Sequence, residues 1–205
     1  MAGVTVAPAM YMDLFFEPKL DIERLRGALD TSGSWTRRNA AHGLSKRQMA
    51  ELYESLDGEG GLTLDYFSPS SEPLVESIHW GHNSLPAFST FQKRFCRPDG
   101  DDPGEELWGY NHNDPMPGAL IGPGYFTATI NEKGEGVIDY GKVPPRKPAA
   151  WPEIIPNSAR LGRFVWVGMV DVVRRVNDQV SVGRAFSRGK AMDAWFVLCR
   201  EDPAA

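Results

Sequence analysis

Three of the four histidines of this chain fall between Ile78 and Asn113, in the phrases His79-Trp80-Gly81-His82 and Tyr110-Asn111-His112-Asn113-Asp114. Histidine titrates nearest to neutrality of all side chains and is the commonest metal ligand, so these phrases are the first place to look for chemistry. As metal ligands, His79 and His82 would share a face of a helix but point to opposite faces of a strand. His112 with Asp114 could complete a set of three or four ligands. Against this, the chain has neither an HExxH motif nor a cysteine cluster, and each histidine serves equally well by capping a loop, bonding a carbonyl or stacking on Trp80. No metal site is expected.

Acid–base chemistry is the second possibility. Asp139 and Tyr140 adjoin in Gly136-Val137-Ile138-Asp139-Tyr140, where alternation turns one of the two inward. Asp171 stands in the apolar run Val170-Asp171-Val172-Val173. A carboxylate there needs a partner, because burying a lone charge is costly. Arg174, three residues on, and Arg184, in a later strand, are the candidates. Such an Asp–Arg pair would fix the fold, or would orient a ligand. His79, His82, His112, Asp139 and Asp171 are therefore the candidate catalytic groups. Trp80, Trp108, Tyr110, Tyr125, Tyr140 and Arg184 are the candidate ligand-binding groups.

Other chemistries find little support. There is no Gly-x-Ser-x-Gly elbow. Cys96 has the basic neighbours Arg94 and Arg97, which could activate a thiol, whereas Cys199 lies in an apolar strand and reads as core. Gly118 to Gly124 has no strand before it and no helix after it to make a nucleotide loop, so Gly122-Pro123-Gly124 reads as a turn. No cofactor is expected. The five carboxylates of Asp99 to Glu106 miss the spacing of a calcium loop and read as a solvated loop.

The elements that must position these residues change character along the chain. The first part, about residues 1–60, is helical. Asp21 can cap a helix carrying Ile22, Leu25 and Leu29, with Gly33 beyond its end, and Ser45-Lys46-Arg47-Gln48 is a capping box ahead of the stripe Met49, Leu52, Tyr53 and Leu56. From Leu62 to Tyr66 the apolar positions alternate, which predicts a half-buried strand. Gly124 to Asn131 and Gly136 to Lys142 read as strands joined by Glu132-Lys133-Gly134-Glu135. Pro144 to Pro156 holds five prolines and predicts an ordered loop or edge-wrapping segment. Arg163 to Gly168, Gln179 to Phe186 and Met192 to Cys199 carry the strongest strand signal, with Arg188-Gly189 as a turn, and Met169 to Val176 fits either a strand or a short helix. No repeat or linker divides the 205 residues, so the expectation is one domain over 1–205. It is α+β and mainly β: an antiparallel barrel over about 61–205 with N-terminal helices.

Some phrases resemble the bacterial GXWXG/DUF4334 proteins. In the first half these are Gly81-His82 and Lys93-Arg94-Phe95, with His79-Trp80-Gly81 as a partial echo of the GXWXG motif. In the second half they are Met169 to Asp178, Val182-Gly183 and Trp195-Phe196-Val197-Leu198-Cys199-Arg200. The resemblance covers about two thirds of the chain. It implies a calycin-like barrel, the architecture of lipocalins and fatty-acid carriers, and little chemistry.

Composition narrows the class. Ten Phe, six Trp and six Tyr supply bulky rings for a core or for the walls of an apolar pocket. A net charge of −5 argues against nucleic acid or an anionic membrane as partner. Two distant cysteines make no disulfide framework, and no signal peptide or membrane span is apparent, so a cytoplasmic setting is expected. Two readings stay open. One is a barrel that binds a small apolar or aromatic molecule. The other is a cofactor-free enzyme, such as a cyclase, isomerase or dehydratase, using His and Asp as acid and base in the same pocket. Whether the chain is an enzyme is uncertain on sequence alone, and an interaction module without a pocket is a third class that fits the aromatic content less well.

Overall fold

The computed structural model describes residues 8–85, 89–100, 104–113 and 121–202. Eight antiparallel strands close into a barrel in simple sequence order, so every strand pairs with its neighbours and β1 pairs with β8. They are β1 (Ser77–Asn83), β2 (Thr90–Cys96), β3 (Leu107–His112), β4 (Tyr125–Ile130), β5 (Gly136–Asp139), β6 (Met169–Arg175), β7 (Val180–Ser187) and β8 (Lys190–Arg200). Closure leaves no edge to cover.

Side-chain alternation sorts each strand into an inner and an outer face. Phe95, Leu107, Phe126, Ala128, Ile138, Val173, Phe196 and Leu198 fill the interior. Three interior glycines, Gly81, Gly109 and Gly183, make room for rings on the next strand. A Cβ on Gly81 would stand 2.5 Å from the Phe91 ring, and one on Gly183 would stand 2.2 Å from the Phe196 ring. Each glycine lies directly opposite its phenylalanine in the register, so the missing side chain is replaced by a neighbour's ring.

The outer faces of β7 and β8 are also apolar. Val180, Val182, Trp195, Val197 and Cys199 form a second core with four helices. These are α1 (Pro8–Phe16), α2 (Ile22–Asp30), α3 (Ser34–His42) and α4 (Lys46–Ser55). Their starts follow the sequence signals. The Asp21 side chain accepts from the Arg24 N–H at 3.0 Å, and Ser45 and Gln48 form the expected capping box. A buried Arg37 ties the helices to the chain's end through Asp202, at 2.6 and 2.7 Å.

Two short segments differ from the sequence expectation. Leu62 to Tyr66 contributes no strand: Thr63 caps a one-turn helix, α5 (Leu64–Phe67). Arg163 to Gly168 is also not a strand but lies on and after another single turn, α6 (Gly162–Val165). In the first case a lone turn buries Tyr66 and Phe67 as well as a strand would; in the second only Trp166 is buried, while Phe164 and Val167 stay exposed. Met169 to Val176, open in sequence, forms β6, and the Arg188-Gly189 turn joins β7 to β8. No helix among the described residues is long and apolar enough to cross a membrane.

The α5 turn plugs one end of the barrel. Phe67 is fully buried, with its ring 5.1 Å from Phe95 and 5.7 Å from His79. The His79 Nε2–H donates to the Phe67 carbonyl at 2.9 Å, which fixes the tautomer of the neutral ring, and the buried Nδ1 has no hydrogen-bond partner among the described residues. Burial drives the His79 pKa down to about 3, with the charge of Arg200 acting in the same direction. Below about pH 6.5 the unfolded chain binds a proton at His79 that the folded chain refuses, so stability falls as pH drops from there toward 3. Between about pH 7 and about pH 5 this amounts to about 2 kcal/mol. Urea denaturation at both pH values should show a larger loss for the wild type than for His79→Gln. Equal losses would contradict a sealed, neutral His79.

Candidate functional site

At the end opposite the α5 plug the barrel holds a cavity of about 510 Å³. Its walls are apolar: Phe91 from β2, Met169 from β6, Ala185 from β7, Met192 and Phe196 from β8, and Val165 and Trp166 from α6 and its end. Trp166 is fixed by stacking on Tyr140, with ring centroids 4.9 Å apart, and by an indole N–H bond to the Ile121 carbonyl at 3.3 Å.

Four polar side chains meet at the floor: Lys93, Asn111, Tyr140 and Asp171. Lys93 and Asn111 are cross-strand partners on β2 and β3; Tyr140 follows β5, and Asp171 reaches in from β6. The Lys93 ammonium donates to Asp171 Oδ2 at 2.9 Å, to Asn111 Oδ1 at 3.0 Å and to the Tyr140 hydroxyl. The Asn111 amide donates to the Tyr140 oxygen at 2.8 Å, and the Tyr140 hydroxyl donates to Asp171 Oδ2 at 3.1 Å. All three ammonium protons thus have acceptors. Four aromatic rings, those of Phe91, Phe126, Tyr140 and Phe196, stand 5.1–5.5 Å from the lysine nitrogen. They add electrostatic attraction to the buried ammonium.

Burial pushes the Lys93 pKa below its ordinary value, and the adjacent Asp171 carboxylate opposes that shift. Burial holds the Tyr140 hydroxyl well above its ordinary value, with the Asp171 charge acting in the same direction. Three acceptors around the Lys93 nitrogen are the geometry of an ammonium paired with a carboxylate, an assembly that is neutral overall.

The candidate residues read from sequence divide between the two faces of the wall. Asp171 and Tyr140 lie on the cavity floor. The partner of Asp171 is Lys93, not Arg174 or Arg184, both of which point outward. Arg174 bonds Glu135 and the Tyr53 carbonyl at 2.7 Å each, and Arg184 bonds the Met192 carbonyl at 3.0 Å and Glu54 at 3.3 Å. Asp139 accepts the Gly141 N–H at 2.7 Å in the turn after β5 and has no place in the cavity. His79 faces inward but sits against the plug, away from the cavity lining.

His82 and Trp80 are on the outer face of β1. His82 stacks on His42 at 5.7 Å, and the Arg38 guanidinium lies 4.5 Å from the Trp80 ring. Burial lowers the pKa of both histidines of that pair. His112 ends β3 with its side chain on the outside, its Nδ1 3.4 Å from the Tyr110 hydroxyl. Trp108, Tyr110 and Tyr125 form an outer cluster with Cys96 and Trp151, covered by the proline-rich segment. Tyr125 donates to the Pro152 carbonyl at 2.6 Å. Burial raises the Cys96 thiol to about 12, so it stays protonated and is no nucleophile. Asp114 lies outside the described residues, among which no group of three or more His, Cys, Asp or Glu could hold a metal.

Lys93 and Asn111 are the site residues that sequence reading passed over. A signal existed: in Phe91-Gln92-Lys93-Arg94-Phe95, strand alternation puts Lys93 on the same face as two phenylalanines. Comparison with known proteins found no matching family model, no matching curated protein and no matching solved structure.

Removing one member of a buried, hydrogen-bonded pair strands the other charge and costs about 3–5 kcal/mol, whereas replacing both by apolar groups is often neutral. Lys93→Met should therefore lower the urea midpoint sharply, and the double variant Lys93→Met/Asp171→Leu should recover most of the loss. A double variant no more stable than the single one would show that the two charges do not balance each other.

Proposed function

We propose that the protein binds a small, largely apolar or aromatic molecule inside the barrel, in the manner of calycin-type carriers. The observation that carries this reading is the combination of an apolar cavity of about 510 Å³ with a compact polar floor. A few convergent polar groups in an apolar pocket orient a ligand that the walls hold by burial. The GXWXG/DUF4334-like phrases agree with it, since Met169, Asp171 and Phe196 of those phrases line the same cavity. Trp166 provides an internal reporter, because it lines the cavity and stacks on Tyr140.

A second reading is supported by the floor itself. Tyr140, held protonated by burial, and Asp171, a carboxylate 3.1 Å from it, are an acid and a base side by side. A cofactor-free cyclase, isomerase or dehydratase would use such a pair, with Lys93 holding the carboxylate in place. In that case the histidines take no part. The two readings separate when a bound molecule is recovered from the protein: a carrier returns it unchanged, and an enzyme returns a product.

The carrier reading is tested with a hydrophobic fluorescent probe. Saturable binding with quenching of tryptophan emission is expected, and Ala185→Trp, which fills the cavity from β7, should abolish it while far-UV circular dichroism stays unchanged. Equal probe binding by wild type and Ala185→Trp would place the probe elsewhere and remove the cavity as its site.

A further inference from the structure

The hydrogen bonds of the floor specify the polar group that a ligand must bring. Lys93 has no proton left to give: its three N–H bonds end on Asp171, Asn111 and Tyr140. The Tyr140 hydroxyl accepts two hydrogen bonds and donates its one proton to Asp171, so it too is saturated. The Asp171 carboxylate takes both of its donors on Oδ2. Its Oδ1 has no hydrogen bond to any described residue, and Asp171 lines the cavity. Asn111 uses one proton of its amide on Tyr140, which leaves the second.

The floor therefore offers the cavity one strong acceptor and one weak donor. We infer that the cavity recognises an apolar molecule through a hydroxyl group, an alcohol or a phenol, which donates to Asp171 Oδ1 and accepts from the Asn111 amide. A carboxylate fits poorly. It would face the Asp171 carboxylate, and Lys93 could bond it only by giving up an existing partner. A ketone or ether has no proton for Asp171. Fatty acids, the ligands that a buried lysine would first suggest, are thus disfavoured by the way this lysine is already bonded.

This inference rests on the pocket reading above, and a matched series of probes separates the two. Naphthalene, naphthol, the methyl ether of naphthol and naphthoate share one apolar frame and differ only in the handle. Binding is followed by calorimetry and by tryptophan emission of the wild-type protein, so no variant has to fold. A hydrogen bond to a charged acceptor is worth about 1.5 kcal/mol or more, so naphthol should bind about tenfold more tightly than its methyl ether, and naphthoate more weakly than either. If naphthol and its ether bind equally, or if naphthoate binds most tightly, the hydroxyl assignment is overturned while the pocket stands. If none of the four binds, the pocket reading fails, and this inference with it.

Discussion

The ion pair between Lys93 and Asp171 sets the terms for the interior of this barrel. An ammonium and a carboxylate taken out of water are each strongly disfavoured, and their mutual attraction compensates only when every remaining proton and lone pair is also occupied. Here Asn111 and Tyr140 supply most of that satisfaction, and they come from a different strand and from the end of another. The four side chains therefore work only if β2, β3, β5 and β6 hold their registers. A slip of one residue in any of these strands would turn its member of the cluster to the outer face.

The rest of the chain makes that arrangement possible by keeping the two faces of the wall distinct. Below the floor, α5 and the rings of Phe67, Phe95 and Phe126 exclude water from one end. Outside, α1 to α4 cover β7 and β8, and the proline-rich segment lays Trp151 over the aromatic cluster on β3 and β4. These outer layers take up Phe15, Phe16 and Tyr53 on one side and Trp108, Tyr110, Tyr125 and Trp151 on the other. What is left inside at the open end is a cavity with apolar walls and a neutral, nearly saturated polar base. That combination is the basis of the proposal that the barrel takes up an apolar body with one polar group at its tip.

Much of the architecture was legible in the sequence, and the reasons are local. Capping residues such as Asp21 and Ser45, the turn at Arg188-Gly189 and the alternation from Gly124 onward are short-range signals, and short-range physics decides them. The site was legible only in part. Asp171 was recognisable because a carboxylate among valines must be paired, and Tyr140 because one of two adjacent strand residues must face in. Its true partner was not recognisable as a partner, because Lys93 is 78 residues away and the pairing depends on barrel closure. The histidine phrases misdirected attention for a related reason. Trp80 and His82 flank Gly81 on a strand, so both point away from the interior that Gly81 shares with Phe91. Residue types that favour chemistry carry no information about which face of a wall they occupy until the register is known.

The central claim is that Lys93 is a charged, fully bonded ammonium at the base of a ligand cavity. Nitrogen NMR of the lysine side chains tests it most directly. At neutral pH, Lys93 should give an ammonium signal with three slowly exchanging protons, distinct from the fast-exchanging surface lysines, and that signal should shift when naphthol is added. A neutral amine signal, or an ammonium exchanging as fast as those on the surface, would contradict the account.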